Sequence, residues 1–138
     1  MATVIAVVDS GPLYAAADED DADHSAALNA LTASNIHLVI PMLVVAEVSY
    51  FIGSRLGPPA EARFVAGLTA LDVEAPTQDD WSRIAELVDE YGDFPLGGVD
   101  ASVVALAERL DTPTVITLDR RHFGAVRPRH CQALMLIP

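Results

Sequence analysis

A short apolar strand that ends in a carboxylate is the feature that most restricts how this chain can fold. The run Val4-Ile5-Ala6-Val7-Val8 has the length and β-branched content of a strand buried on both faces, as in a parallel sheet. Asp9, Ser10 and Gly11 follow it at once. Because open α/β sheets bind ligands beyond the carboxyl ends of their strands, we expect Asp9 at that edge, and in the middle of the sheet if this first strand is central.

The rest of the chain alternates between strand-like and helix-like segments. Further strands are predicted at 37–40, 70–75, 114–118 and 132–137. Helices are predicted after a Ser10 cap and at 24–33, 42–56, 59–68, 77–91 and 99–110. Trp81, Ile84, Leu87 and Val88 would form the inner stripe of the helix at 77–91, and residues 120–123 a turn. This alternation predicts an α/β fold with a mostly parallel sheet and right-handed crossovers.

Composition limits the class of protein. The 138 residues are 51% hydrophobic and 20% charged, which predicts one soluble domain spanning 1–138. No apolar run approaches the roughly 20 residues of a membrane helix, and no basic stretch precedes the first apolar run, as a signal peptide would require. The single cysteine, Cys131, cannot form an internal disulfide. These features predict a cytoplasmic protein without membrane contact.

Charge gives two opposed indications. A net charge of −12 argues against a nucleic-acid partner, and the acidic run at 18–23 is typical of a solvated loop. All eight basic residues, however, are arginines, and four of them lie within ten positions. A local basic strip that could hold phosphates is therefore predicted at Arg120, Arg121, Arg127 and Arg129.

Four carboxylates are candidates for a common site. Asp9 and Asp119 each end a predicted strand, while Glu47 lies within an apolar helix and Asp100 in the first turn of another. Taken singly, Glu47 fits equally well on the polar side of its helix, and Asp100 fits a helix cap better than a ligand. Together they would repel one another unless a cation bound them. Mg²⁺ or Mn²⁺, which prefer oxygen ligands, would resolve this and could support hydrolysis of a phosphodiester.

The order of these motifs resembles the PIN-domain ribonucleases, and specifically the VapC toxins of bacterial toxin–antitoxin pairs. The resemblance covers nearly the whole chain and rests on four short motifs: Val7-Val8-Asp9-Ser10, Val45-Ala46-Glu47-Val48, Val99-Asp100-Ala101 and Thr117-Leu118-Asp119-Arg120-Arg121-His122-Phe123. It implies a three-layer α/β/α sandwich and a metal-dependent endoribonuclease that cleaves RNA, often at one site in tRNA or ribosomal RNA. It also implies a homodimer silenced by a VapB-type antitoxin whose tail enters the cleft.

The resemblance assigns roles to individual residues. Asp9, Glu47, Asp100 and Asp119 would form the catalytic acidic quartet. Asp9 and Asp100 would be the principal Mg²⁺ or Mn²⁺ ligands, while Glu47 and Asp119 would bind through water or hold a second ion. Thr117, with Ser10, would orient these ligands from behind. The chain departs from many relatives at His122, where they carry another acid.

Three other classes of protein share parts of this pattern. A phosphoacceptor receiver domain would need a lysine near the end of its last strand, and the chain has no lysine. The same absence, together with Asp9-Ser10-Gly11 in place of Asp-x-Asp, argues against a haloacid-dehalogenase-type phosphatase. A catalytically degenerate PIN fold that only binds protein or RNA stays open, although the intact quartet speaks against it.

Overall fold

A computed structural model describes residues 3–138 as five strands and seven α-helices. The strands are β1 (Val4–Val8), β2 (Ile36–Pro41), β3 (Asp72–Glu74), β4 (Thr114–Ile116) and β5 (Met135–Ile137). The helices are α1 (Ser10–Ala17), α2 (His24–Leu31), α3 (Met42–Leu56), α4 (Pro58–Gly67), α5 (Gln78–Glu90), α6 (Gly98–Arg109) and α7 (Arg120–Ala125). A short 3₁₀ turn, Leu68–Ala70, follows α4. Within the described residues no helix is long and apolar enough to span a membrane.

The five strands form one sheet in the order β3-β2-β1-β4-β5, and every pairing is parallel. The predicted parallel sheet is therefore confirmed, with β1 at its centre. Val7 is paired with Val39 on one side and with Val115 on the other. Since the chain leaves β1 toward β2 and returns later to β4, the topological switch lies beside the end of β1, which is where such sheets bind ligands.

Helices cover the sheet on both faces. The helices α1 to α4 pack against one another and α5 packs against α6. Right-handed crossovers, the rule for parallel strands, would place these two groups on opposite faces, as in the expected α/β/α sandwich. Every residue of α6 from Ala101 to Ala107 is buried, so this helix lies between the sheet and α5. Val7, Val8 and Ile116 are fully buried in the same hydrophobic cluster. This rigid centre carries the residues that follow β1 and β4.

Two local predictions were wrong. Ser10 does not cap α1: the helix begins at Ser10 itself, after Asp9 in an extended conformation. The predicted turn at 120–123 is the helix α7, whose N-cap is Asp119. In both cases a carboxylate near the end of a strand directly precedes a helix. The side chain of Asp9 is fixed by the Thr117 hydroxyl and not by Ser10 acting as a cap.

The connection between α3 and α4 is the expected helical hairpin. Gly57 has φ of 94°, a conformation that favours glycine, and Pro58 starts α4 in the first-turn position that proline tolerates. The Ser49 hydroxyl donates a hydrogen bond of 2.5 Å to Glu61 across the hairpin. The two helices are thereby fixed side by side, and α3 is held with one face toward the carboxyl end of β1.

Helix α5 confirms one prediction and corrects another. Thr77 and Asp80 form a reciprocal capping box at its start. Ile84 and Leu87 are buried as expected, but Trp81 is 51% exposed and Val88 is 37% exposed. The inner stripe is thus narrower than predicted: α5 packs on α6, and among the predicted stripe residues only Ile84 and Leu87 are buried.

Candidate active site

The carboxyl end of the sheet opens into a cavity of about 400 Å³ lined by all four candidate carboxylates. Asp9 follows the central strand, and Asp119 lies just beyond the neighbouring strand β4. Asp100 enters from the first turn of α6, and Glu47 from the middle of α3. Four segments that are distant in sequence therefore meet at the topological switch of the sheet.

Asp9 is the most deeply placed of the four, with only 6% of its surface exposed. Its Oδ2 accepts a hydrogen bond of 2.8 Å from the Thr117 hydroxyl. Burial raises the pKa of Asp9; the hydrogen bonds from Thr117 and from the Ser10 backbone oppose this rise, and the charges of Asp119 and Glu47 add to it. A buried carboxylate with this balance of contacts is stabilised by a cation that replaces the lost water.

The pKa of Asp100 depends on the charges of the other three carboxylates. Its pKa is raised from 3.8 to about 6, first by burial and then by the negative charges of Asp9 and Asp119, with a smaller contribution from Glu47. His122 acts in the opposite direction and lowers this pKa. The four carboxylates are therefore close enough to repel one another, as the sequence pattern predicted.

Asp119 is held by His122 through both of its carboxylate oxygens. Oδ1 accepts a hydrogen bond of 2.9 Å from the His122 backbone N–H, and Oδ2 lies 2.8 Å from Nδ1 of the His122 ring. Because a carboxylate can only accept, Nδ1 carries the proton in this contact. The ring of Phe94 packs against the imidazole at 4.9 Å between centroids. His122, which the sequence left without a role, therefore fixes the orientation of Asp119.

Glu47 and Ser10 complete the quartet and its surroundings. Glu47 is half-buried and faces the cavity, so of the two placements that the sequence left open the helix adopts the one toward the site. The hydroxyl of Ser10 also borders the cavity, and its Oγ is buried without a hydrogen-bond partner among the described residues. An unsatisfied buried hydroxyl beside four carboxylates is free to bind a water or a ligand.

The cavity is also lined by residues that the sequence did not point to. Tyr14, Phe51 and Arg55 border it from α1 and α3, and Asp21 and Asp23 from the acidic loop. The sequence predicts a solvated loop for the acidic run. No local pattern distinguishes loop acids that face a cleft from loop acids that face water, because only the fold brings residues 21–23 to this edge.

The predicted arginine strip does not line the cavity. Arg120 donates a hydrogen bond to the Pro138 carbonyl, and Arg121 packs over the ring of Phe94. Arg129 forms an ion pair with Glu86 on α5, and Arg127 is exposed. The four arginines are thus divided between the rim near His122 and the outer side of α5, so their role in RNA binding stays a prediction.

The donor set fits a hard divalent cation. Asp100, Asp119 and His122 each offer a ligand atom, and these atoms lie within 4.8 Å of one another. Asp9 and Glu47 add two further carboxylates on the same cavity. Oxygen-rich sites with room for water suit Mg²⁺ and Mn²⁺. The Ser10 hydroxyl, which has no partner among the described residues, and the unfavourable charge of the quartet fit such a cation with bound waters.

Comparison with known proteins gives consistent matches. The PIN domain family model matches residues 6–127. Over 124 residues the chain is 36% identical to Ribonuclease VapC26 of Mycobacterium tuberculosis, a match that covers 88% of this chain and 92% of that protein. The crystal structure of VapC20 from the same organism, a toxin that cleaves the sarcin-ricin loop, superposes with a TM-score of 0.80 at 21% identity, covering 93% and 98% of the two chains.

A complex is among the structural matches as well. The VapBC2 structure from Rickettsia felis, bound to a DNA fragment from its promoter, superposes with a TM-score of 0.69 at 18% identity. This match covers 96% of the present chain and 97% of the other. Because the sequence identity is low, this match supports the assignment of the fold alone.

Proposed function

The chain belongs to the VapC group of the PIN-domain family, and from this premise we propose that it is a Mg²⁺- or Mn²⁺-dependent endoribonuclease acting as the toxin of a toxin–antitoxin pair. One observation carries the proposal: Asp9, Glu47, Asp100 and Asp119 line one cavity at the carboxyl end of a parallel sheet. A binding-only PIN domain would have no need of this arrangement, since burial and mutual repulsion raise the pKa of Asp9 and Asp100 and so make their charged forms unfavourable in the folded state.

Asp9 and Asp100 are the proposed principal ligands of the metal. Asp9 is rigid because it follows the central strand and accepts the Thr117 hydroxyl, while Asp100 is fixed by the buried helix α6. Glu47 and Asp119 bind through water or hold a second ion. When bound, the cation supplies a polarised phosphoryl oxygen and a water of lowered pKa.

The chain's own residues prepare the site for this chemistry. Thr117 donates to Asp9 through its hydroxyl, and the same oxygen accepts from the Asp119 backbone N–H at 2.9 Å, so one side chain sets the spacing of two strand ends. His122 keeps Asp119 turned toward Asp100. Raising the pKa of Asp100 to about 6 means that a proton competes with the cation below neutral pH. Metal binding is accordingly expected to weaken as the solution becomes acidic.

Cleavage of total cellular RNA tests the proposal. Purified protein with Mg²⁺ or Mn²⁺ is compared with the same protein in EDTA, and with Asp9→Asn prepared identically. Discrete RNA fragments that require both the metal and Asp9 are expected. Asp89→Asn is the matched control, because it makes the same chemical change on the exposed surface of α5, outside the cavity.

Full activity in Asp9→Asn, or in EDTA, would contradict the metal-site assignment. A folded wild-type protein that binds RNA but never cleaves it, under any metal, would instead support the degenerate PIN fold. Substrates with structured loops, including tRNA and ribosomal RNA, are the natural first choices.

The same proposal includes a VapB-type antitoxin and a homodimer. Support for the antitoxin comes from the structural similarity to the toxin of a VapBC complex. Co-expression with any small reading frame found next to this gene, followed by affinity purification, tests for a stable complex. Light scattering measures the molar mass of the isolated protein and so tests whether it forms a dimer. A monomer that forms no complex with the co-expressed protein would remove this part of the proposal and leave the proposed ribonuclease activity unaffected.

A further inference from the structure

Among the described residues that line the acidic cavity, Arg55 is the one with a basic side chain. The four quartet carboxylates and the loop acids Asp21 and Asp23 share that cavity with it. A phosphodiester strand entering such a cleft meets strong repulsion everywhere except at the metal and at Arg55. The position of this guanidinium therefore bears directly on how a polyanion could bind.

Two aromatic rings hold the Arg55 guanidinium. Its central carbon lies 4.6 Å from the ring centroid of Phe51, one turn earlier on α3, and 5.0 Å from that of Tyr14 on α1. The Tyr14 hydroxyl is itself fixed, since it donates to Asp18 at 2.9 Å. Cation–π contacts of this kind hold an arginine in place while leaving its N–H groups available.

Arg55 makes no ion pair with any carboxylate between residues 3 and 138, although it borders a cavity rich in them. Other arginines are engaged: Arg83, Arg109 and Arg129 all have acidic partners. Arg55 is also exposed. An exposed guanidinium that is positioned by aromatic rings, and not neutralised by nearby acids, is suited to an external anion.

Helix geometry relates Arg55 to the quartet. Glu47, Phe51 and Arg55 are spaced by four residues and so share one face of α3. Two helical turns separate the first and the last, a rise of roughly 12 Å. Arg55 therefore lies along the cavity from the carboxylates, at a distance that one extended strand can bridge within a few nucleotides.

We infer that Arg55, positioned by Phe51 and Tyr14, binds a backbone phosphate of the RNA strand a few nucleotides from the cleaved bond. This inference rests on the proposed ribonuclease function and assigns the path of the substrate along α1 and α3. Arginine binds phosphate oxygens in a bidentate manner that a point charge cannot reproduce. Arg55 acts on substrate binding and does not touch the reacting atoms.

The test compares cleavage kinetics and binding in Arg55→Gln and Arg55→Lys. The substrate is the RNA fragment that wild-type protein cleaves, with Mg²⁺ at saturation. Arg55→Gln is expected to raise KM about tenfold with kcat changed less than about twofold, as removal of a uniform binding contact predicts. Arg55→Lys keeps the charge without the planar fork, so its KM should lie between those of wild type and Arg55→Gln.

Salt dependence supplies a second readout. Binding of the same RNA is measured in an Asp9→Asn background, which prevents cleavage, across roughly 50 to 200 mM salt. Losing one phosphate contact should reduce the slope of log K against log salt by about 0.7 for a single strand. Phe51→Leu removes one of the two rings that position the guanidinium but keeps its charge, so it should weaken binding and reduce that slope by less than Arg55→Gln does.

Arg63→Gln is the matched control, since Arg63 is an exposed arginine on α4 that lines a different, mostly apolar cavity. It should behave as wild type in both measurements. Wild-type KM and salt slope in Arg55→Gln would overturn the inference while leaving the ribonuclease function standing. A loss of kcat at constant KM would overturn it too, since that places Arg55 at the reacting atoms. If wild-type protein neither binds nor cleaves RNA, the proposed function fails and this inference fails with it.

Discussion

The Thr117 hydroxyl donates a hydrogen bond of 2.8 Å to Oδ2 of Asp9, although 108 residues separate the two in the chain. The same oxygen accepts the backbone N–H of Asp119 at 2.9 Å. Thr117 is 1% exposed, so solvent cannot replace either contact. One buried hydroxyl thereby fixes the carboxylate of the central strand and the start of the segment that carries Asp119.

Thr117→Val should lower metal affinity and RNA cleavage by about 10- to 100-fold, the range typical of groups that orient metal ligands. Valine preserves the shape of threonine but cannot donate to Asp9. Thr117→Ser should retain most activity because it keeps the hydroxyl. Isothermal titration with Mn²⁺ measures the affinity directly.

Thr114→Val is the appropriate control for this experiment, since it makes the same chemical change at a buried position of β4. It should leave metal binding within about twofold of wild type, a difference well below the range expected for Thr117. Equal metal affinity in Thr117→Val and wild type would show that Asp9 does not depend on this hydrogen bond.

The sequence predicts the centre of the fold better than its edges. The alternation of segments, the parallel sheet and the central place of β1 follow from apolar runs that only a doubly covered sheet can bury. The strands β3, β4 and β5 are each shorter than predicted, and only β4 among them is not at an edge of the sheet. Trp81 was placed inward by its helical spacing, yet the helix buries only a narrow stripe.

The same contrast applies to the site. Asp9 and Asp119 were predictable, because a carboxylate that ends a buried strand of a parallel sheet must reach the functional edge. Arg55 was not, since an arginine near the end of a helix is ordinarily a solvated residue. The contact of His122 with Asp119 was equally hidden, because a short turn was expected where the helix α7 brings the imidazole back onto its own cap.

His122→Ala should weaken metal binding by about 10- to 100-fold, because Asp119 loses a donor that orients it. His122→Asn should recover much of this loss, since the side-chain amide can place an N–H close to the position of Nδ1. The measurement is again a titration with Mn²⁺ or Mg²⁺, followed by cleavage at saturating metal.

The control for this prediction is His37→Ala, because His37 pairs with Asp72 at the exposed edge of the sheet. That variant should bind metal as wild type does. Alanine and asparagine variants of His122 with identical, reduced affinity would show that the imidazole acts as a metal ligand itself, and that orientation of Asp119 is not its main contribution.

Removing the charge of Asp100 should stabilise the metal-free protein. The pKa of this group is raised in the folded state from 3.8 to about 6. Between these two pH values the folded protein therefore holds a proton that the unfolded chain has released. The free energy of unfolding therefore falls as the pH rises from about 4 to about 6, and it stays lower above that window. Asp100→Asn lacks this dependence.

Denaturant unfolding in EDTA at several pH values, with wild type and Asp100→Asn side by side, measures this difference. Near pH 4 the two proteins should have similar stability, and the variant should become the more stable one as the pH passes about 6. Carboxylates outside the cavity titrate alike in both proteins and cancel in the comparison. A difference between the two that does not change with pH would contradict the raised pKa of Asp100, which comes first from burial and then from the charges of Asp9 and Asp119.

The pair formed by Arg83 and Glu108 should be the most important ion pair for stability. Arg83 Nε and Nη2 donate to the two oxygens of Glu108 at 2.8 and 2.9 Å, linking α5 to α6. The two side chains are only 11% and 10% exposed. Burial tends to raise the pKa of Glu108, but the hydrogen bonds from Arg83 and from the Arg129 N–H outweigh it and lower that pKa.

Arg83→Met should therefore reduce the free energy of unfolding by about 3–5 kcal/mol, because it leaves a buried carboxylate without its partner. The double variant Arg83→Met/Glu108→Leu should lose much less, since both charges leave together. Glu86→Gln removes the exposed pair with Arg129, whose side chains are 52% and 61% exposed. It also removes a longer contact of 3.4 Å with Arg83. Because Glu86 itself is exposed, the variant should cost under about 1 kcal/mol. Urea denaturation of the four proteins measures these differences, and a double variant as unstable as Arg83→Met would show that packing of the arginine stem, and not the orphaned charge, causes the loss.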